Sequence, residues 1–136
     1  LCSCIRRSTL GEEVSRMREK MFNELRDGGN GDFDIKRSRG GLTDIEFLVQ
    51  YLVLRDAAEH PRLIEFSDII RQLEALVREQ LLPADDAEAL RRIWLEYRNC
   101  IHHLALERQA GKVDADRFRQ EREVVTAFWN QYFDGP

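Results

Sequence analysis

Residues Phe33 to Leu54 read FDIKRSRGGLTDIEFLVQYLVL, and the way this stretch must be housed decides the fold. Phe33-Asp34-Ile35-Lys36 alternates apolar and polar residues and predicts a short strand or extended segment. Gly40-Gly41 supplies the backbone freedom that a sharp strand-to-helix turn needs. Thr43 stands three residues before Glu46, the spacing of a capping box, so a helix is expected to start at Asp44. From Ile45 to Leu54 nearly every residue is apolar. No polar face is left for water, and this helix is expected to be buried nearly all round.

Glu46 and Gln50 interrupt the apolar run four residues apart, hence on one helix face. A charge in such surroundings must be paired, hydrogen-bonded or turned toward a polar cleft, because burying it alone is costly. Two readings follow. In one, Glu46 and Gln50 face a polar cleft, while Lys36, Arg37 and Arg39, with the free N–H groups of a helix N-terminus, attract a phosphate or a metal-bound nucleotide. In the other, Glu46 only caps its helix and the basic residues are solvated, since a glycine pair is a common motif.

Upstream, Ser8 or Thr9 with Glu12 can cap a first helix, whose Leu10, Val14, Met17, Met21 and Leu25 form an apolar stripe. Asp27-Gly28-Gly29-Asn30-Gly31 ends it. That loop lacks the Lys-Ser/Thr of a phosphate-binding loop and reads as a connector. Downstream, His60-Pro61 makes a break. Ser67 can cap a helix carrying Ile69, Ile70, Leu73, Leu76 and Val77, and Pro83 punctuates again. A long helix is expected from Ala84 to Gln109, with Ala87, Leu90, Trp94, Tyr97, Ile101 and Leu104 at three-four spacing. Gly111 closes it, Asp114 can cap the next, and Phe118, Val125, Phe128, Trp129 and Tyr132 line the last one. Five helices with short breaks imply one all-α domain over residues 1–136, an up-and-down bundle of four long helices plus an accessory one. The lone strand is expected to find its partner in a part of the protein outside this chain.

Composition narrows the function. A formal charge of −4 over 136 residues, with no lysine-rich tract, argues against a general nucleic-acid binder. No apolar run is long enough to cross a bilayer, and Leu1 to Arg7 is too short and polar for a secretory signal, so a cytoplasmic protein is expected. Cys2, Cys4 and Cys100 are an odd number without a zinc-ligand pattern, and neither a disulfide framework nor a structural metal is expected. His102 and His103 lie about 100° apart on a helix and cannot chelate one metal together. They are expected to hydrogen-bond in the core or to face the cleft of Glu46. The spacing of Trp94, Tyr97, Phe128 and Trp129 fits core packing better than base stacking. The first residue is Leu rather than Met, and the expectation is a piece of a longer chain.

FDIKRSRGGLTDIEFLVQYLVL, together with MREKM at Met17 to Met21, HHLAL at His102 to Leu106 and EREVV at Glu121 to Val125, resembles the segment that follows the nucleotidyltransferase core in bacterial glutamate-ammonia-ligase adenylyltransferases. Members of that family look like tandems of two polymerase-β-like units, each followed by a helical domain. The Thr-Asp of GGLTDIEF is similar to the C-terminal copy, where the other copy tends to have Arg-Glu, and the chain ends just after its last helix as that copy would. The resemblance implies transfer of AMP from Mg-ATP to a tyrosine of glutamine synthetase, removal by phosphorolysis in the other unit, and control by a PII signalling protein and glutamine. The family's metal-binding carboxylates sit in a Gly-Ser-x(n)-Asp-x-Asp element that this sequence does not contain, so the resemblance implies that Mg2+ and ATP are held by an upstream core and that this piece alone is inactive. It also implies that Lys36, Arg39, Gly40 and Gly41 lie near the triphosphate, and that Asp44, Glu46 and Gln50 belong to the cleft wall. A PII uridylyltransferase, which shares a similar glycine-pair motif, and a non-catalytic helical interaction module are the alternatives.

Overall fold

The computed structural model describes residues 11–20, 33–65, 67–108, 112–113 and 116–133. Among them are five helices, the all-α up-and-down bundle expected from the apolar periodicity. Residues 11–20 are helical (α1), followed by β1 (Phe33–Asp34), α2 (Leu42–Asp56), a 3₁₀ turn (Pro61–Glu65), α3 (Ile69–Arg78), α4 (Ala84–Leu106), β2 (Lys112–Val113) and α5 (Arg119–Phe133).

Helix α2 is the axis of the bundle because its sequence offers almost no face to water. It packs against α3, α4, α5 and the 3₁₀ turn. Ile45, Leu48, Val49 and Leu52 are fully buried. Burial all round fails at Leu54, which is exposed, and at Thr43, Glu46, Phe47, Gln50 and Arg55, which are half-buried. Leu73 and Leu76 of α3, Leu90, Ile93 and Tyr97 of α4, and Val125 and Trp129 of α5 close the core around it. Phe33 packs at a tilt against Tyr97 and edge-on against Phe118, with ring centroids 5.8 and 6.2 Å away, so an aromatic cluster anchors β1 to α4 and to the approach of α5.

Several local expectations are corrected. Helix α2 starts at Leu42, not Asp44, with Gly41 as its N-cap and no side-chain cap hydrogen bond, so Thr43 and Glu46 do not form a capping box. The preceding turn does that work instead, because its carbonyls already accept the first N–H groups of the helix. The partner of β1 lies within this chain: Phe33 pairs with Val113 and Asp34 with Lys112 in an antiparallel two-stranded ladder. Asp68, rather than Ser67, caps α3, its carboxylate accepting from the Arg71 N–H at 2.9 Å. Helix α4 stops at Leu106, short of Gln109, and Arg108 takes a left-handed backbone (φ 58°) just beyond it.

Helix α1 is rotated relative to its expected stripe. Gly11, Val14, Ser15 and Arg18, at positions i, i+3, i+4 and i+7, turn toward the bundle, while Met17 is 57% exposed. Arg18 accounts for the rotation, because its guanidinium turns inward to Asp44, and at Gly11 the helix lies against the Tyr51 ring, where an ideal Cβ would make an ordinary contact at 3.5 Å. Leu10, Met21, Leu25, the Asp27 to Gly31 loop, Gly111, Asp114, Cys2 and Cys4 lie outside the described residues. Cys100 is a buried free thiol.

Gly40 and Gly41 are required by space as well as by conformation. Gly40 has φ +77°, and a Cβ there would sit 2.8 Å from the Arg122 carbonyl oxygen; at Gly41 it would sit 2.5 Å from that of Ile35. These obstacles are backbone and cannot swing aside. Replacing either glycine by Ala is expected to destabilise the domain by roughly 2–4 kcal/mol, read as a lower urea midpoint with an unchanged slope.

Candidate functional site

The sequence candidates gather around one turn, residues 34–43, whose backbone is almost wholly satisfied from within. The Asp34 carboxylate accepts from the N–H groups of Lys36 and Arg37, each at 3.1 Å. Ser38 returns the contact, its hydroxyl accepting from the Asp34 N–H. The N–H groups of Gly41, Leu42 and Thr43 donate to the carbonyls of Ser38, Ile35 and Lys36 at 2.8–2.9 Å. The free N–H groups expected at this helix N-terminus as an anion cradle are therefore committed elsewhere. An anion at this turn would have to be held by side chains.

Asp44 is the reason the turn closes. Its side chain is completely buried and fully engaged: Arg18 Nε and Nη2 donate to its two oxygens at 2.9 and 2.8 Å, and the Gly40 N–H adds a third bond at 2.7 Å. The Arg18 guanidinium lies over the Trp129 ring, 4.1 Å from its centre, and the indole N–H of Trp129 donates to the Asp44 carbonyl at 2.9 Å. Trp129 stacks on Phe133 and Phe133 on Tyr51, with centroids 3.9 and 4.2 Å apart. From the other side the Tyr97 hydroxyl donates to the Gly40 carbonyl at 2.7 Å, and burial raises the Tyr97 pKa, so it remains a donor. Arg122 donates to the Arg39 carbonyl and lies over the Phe33 ring. Four helices and the strand thus converge on Gly40.

What the turn presents outward is charge. Lys36 and Arg37 are exposed on a backbone that cannot shift, and Glu46 stands on the first turns of α2, half-buried. Burial raises the Glu46 pKa above the ordinary carboxylate value, while the positive charges of Lys36 and of Arg98 from α4 pull it back down. Arg98 also lies over the Trp94 ring, 5.0 Å from its centre. The structure therefore brings Glu46 together with Lys36 and Arg98, and nothing in the local spacing of the sequence marks Arg98. Gln50 turns to α3, where its amide donates to Gln72 Oε1 at 3.1 Å. Arg39 faces another way, paired at 3.2 Å with Glu19 of α1. It lines a groove of about 540 Å³ along α5 with Arg119, Arg122, Thr126 and Asn130.

His102 and His103 are both exposed on α4 rather than in the core. Among the described residues, no group of His, Cys, Asp or Glu could hold a metal ion, and no helix is long and apolar enough to cross a membrane.

Two expectations follow from this geometry. Asp44→Ala leaves the Arg18 cation buried without its carboxylate and should cost roughly 3–5 kcal/mol in chemical denaturation. Glu46→Gln should act with the opposite sign at neutral pH. A raised carboxylate pKa means that the folded state holds the proton more tightly than the unfolded chain, so this contribution to stability is present below the unfolded pKa and lost as pH rises through the folded one. The stability difference between Glu46→Gln and the wild type should therefore shift in the variant's favour between about pH 4 and about pH 7, as followed by thermal melts across that range.

The chain is similar to known proteins along most of its length. The family model described as GlnD PII-uridylyltransferase matches residues 12–129. A relative from Thioalkalivibrio sulfidiphilus (strain HL-EbGR7), named bifunctional glutamine synthetase adenylyltransferase/adenylyl-removing enzyme, is 44% identical over 131 residues. The match takes in 96% of this chain but only 14% of the relative. The matched span runs from α1 to Trp129 and so contains every residue that closes the Gly40 turn, and the chain belongs to the GlnD PII-uridylyltransferase family.

Proposed function

We propose that this chain is the helical domain paired with the transferase core of a glutamine synthetase adenylyltransferase, and that it forms one wall of the cleft in which AMP passes from ATP to a tyrosine of glutamine synthetase. The observation that carries this reading is the 44% identity, across nearly the whole chain, to an enzyme named for that activity and its reversal. In the full-length protein, a second unit removes AMP by phosphorolysis, and a PII signalling protein and glutamine set the direction. Such an enzyme works in the cytoplasm.

The chain's own chemistry suits a supporting wall. Phosphoryl and nucleotidyl transfer depends mainly on positioning and on stabilising charge. Lys36 offers a cation on a rigid turn, and Arg98 offers a second across Glu46. Both are suited to the oxygens of a triphosphate. Arg39 extends the positive surface toward the α5 groove. Glu46 offsets the repulsion between the two cations and gives a carboxylate that can accept a hydrogen bond from the incoming tyrosine or a water beside it. Asp44, Gly40 and Gly41 hold these groups in place. The residues described here do not offer a ligand set for magnesium, so this reading assigns Mg2+, which neutralises the phosphate charge when bound, to the core domain. The isolated helical domain then has no transfer activity of its own.

A second reading, a PII uridylyltransferase, is favoured by the family model. The two separate in one experiment: the full-length protein carrying this chain is given Mg2+ with labelled ATP or labelled UTP, and either glutamine synthetase or PII protein as acceptor. Label moving from ATP to glutamine synthetase is the expected result. Label moving only from UTP to PII would replace this reading with the second. In the same assay, Lys36→Ala should raise the KM for ATP and Glu46→Gln should lower kcat, each by about tenfold.

A further inference from the structure

Buried ion pairs seldom add much stability over a well-packed apolar substitute, so a buried pair that also fixes backbone is better understood by what it positions. The Arg18–Asp44 pair has that character. Both Asp44 oxygens are used by the guanidinium fork, and one of them also takes the Gly40 N–H. The fork is held flat by the Trp129 ring below it. Any change in where Arg18 sits is therefore passed to Asp44, from Asp44 to Gly40, and from Gly40 to the turn that begins at Asp34.

We infer that Arg18 is a positioning residue for the transfer site: clamped between the Asp44 carboxylate and the face of Trp129, it sets the Gly40–Gly41 turn and so fixes Lys36 relative to Glu46. Three observations support it. The Lys36 backbone is held at both ends, its N–H by Asp34 and its carbonyl by the Thr43 N–H, so the point from which its side chain extends moves only if the turn moves. Glu46 is carried by the same helix as Asp44, two residues on. The clamp also comes from a different element, α1, so Arg18 reaches the turn from across the bundle, through the Asp44 carboxylate. Arg18 thus acts on the turn through that contact.

This inference rests on the adenylyltransferase reading, and the test separates the two. In the full-length enzyme, Arg18→Lys keeps the charge but loses the two-pronged contact and the flat stacking surface. The double variant Arg18→Met with Asp44→Asn removes both charges, avoids an orphaned buried ion, and leaves a neutral amide to meet Gly40. Lys36→Ala and Glu46→Gln run alongside as direct probes of the site. Folding is followed by thermal melts, and kcat and KM for ATP are measured well below each variant's melting midpoint.

The expected result is a fall of about tenfold or more in kcat/KM for both Arg18 variants while they remain folded, since small misplacements of positioning groups have effects of that size. Glu46→Gln and Lys36→Ala should add little when combined with Arg18→Lys, because the groups they remove are already misplaced. A folded Arg18→Lys or double variant with kcat and KM within about twofold of wild type overturns the inference, and Arg18 is then purely a stabilising residue. If Lys36→Ala and Glu46→Gln are equally silent, the cleft-wall reading falls with it; if they alone lower transfer, only the role of Arg18 is lost. Should Arg18→Lys fail to fold, the double variant gives the same two outcomes.

Discussion

The bidentate contact between Arg18 and Asp44 is the constraint on which the rest of the domain depends. Two full charges leave water to make it, and each must then be completely occupied or the structure loses several kcal/mol. Asp44 meets that demand by taking the two guanidinium prongs and the Gly40 N–H, and Arg18 by lying on the Trp129 ring. Satisfying one buried carboxylate therefore fixes the relative placement of α1, α2, α5 and the turn before α2. The stack of Trp129, Phe133 and Tyr51 extends the same contact into apolar packing.

This constraint gives the turn an unusual division of labour. Glycine-rich turns ahead of helices commonly present backbone N–H groups to anions. Here those groups are spent inside the turn, and what faces outward is side-chain charge from Lys36, Arg37 and, one helical turn into α2, Glu46. The two glycines serve closeness instead of openness, since the backbone of Arg122 and the carbonyl of Ile35 occupy the space a side chain would need. A rigid frame of this kind suits a wall that must hold charges at fixed separation.

How much of this was legible in the sequence depended on the range of the interaction involved. Local and periodic signals were sufficient for the bundle: the stripes of α3, α4 and α5 and the near-continuous apolar run of α2 reflect burial that repeats every few residues. The half-buried state of Glu46 was legible for the same reason, through its apolar neighbours. The rotation of α1 was not, because Arg18 is buried by Asp44 and Trp129, far away in the chain, and nothing near MREKM says so. Thr43 and Glu46 have the spacing of a capping box, but that pattern carries no information about carbonyls in the preceding turn that reach the helix first. The two-residue ladder of Phe33–Asp34 with Lys112–Val113 is too short for alternation to reveal. Arg98 reaches Glu46 only because α4 crosses α2 at that level, so sequence spacing could not assign it.

The bonds that close the Gly40 turn come from progressively later parts of the chain. Tyr97 reaches back 57 positions to Gly40, and Trp129 reaches back 85 to Asp44. Contacts of such separation form late, after the intervening loops have closed. During synthesis on the ribosome, α2 can collapse with α3 and α4 while Asp44 is still without the indole that completes its surroundings. Helix α5 thus acts as the keystone of the charged wall, and a chain that stops short of Trp129 lacks the indole that completes it.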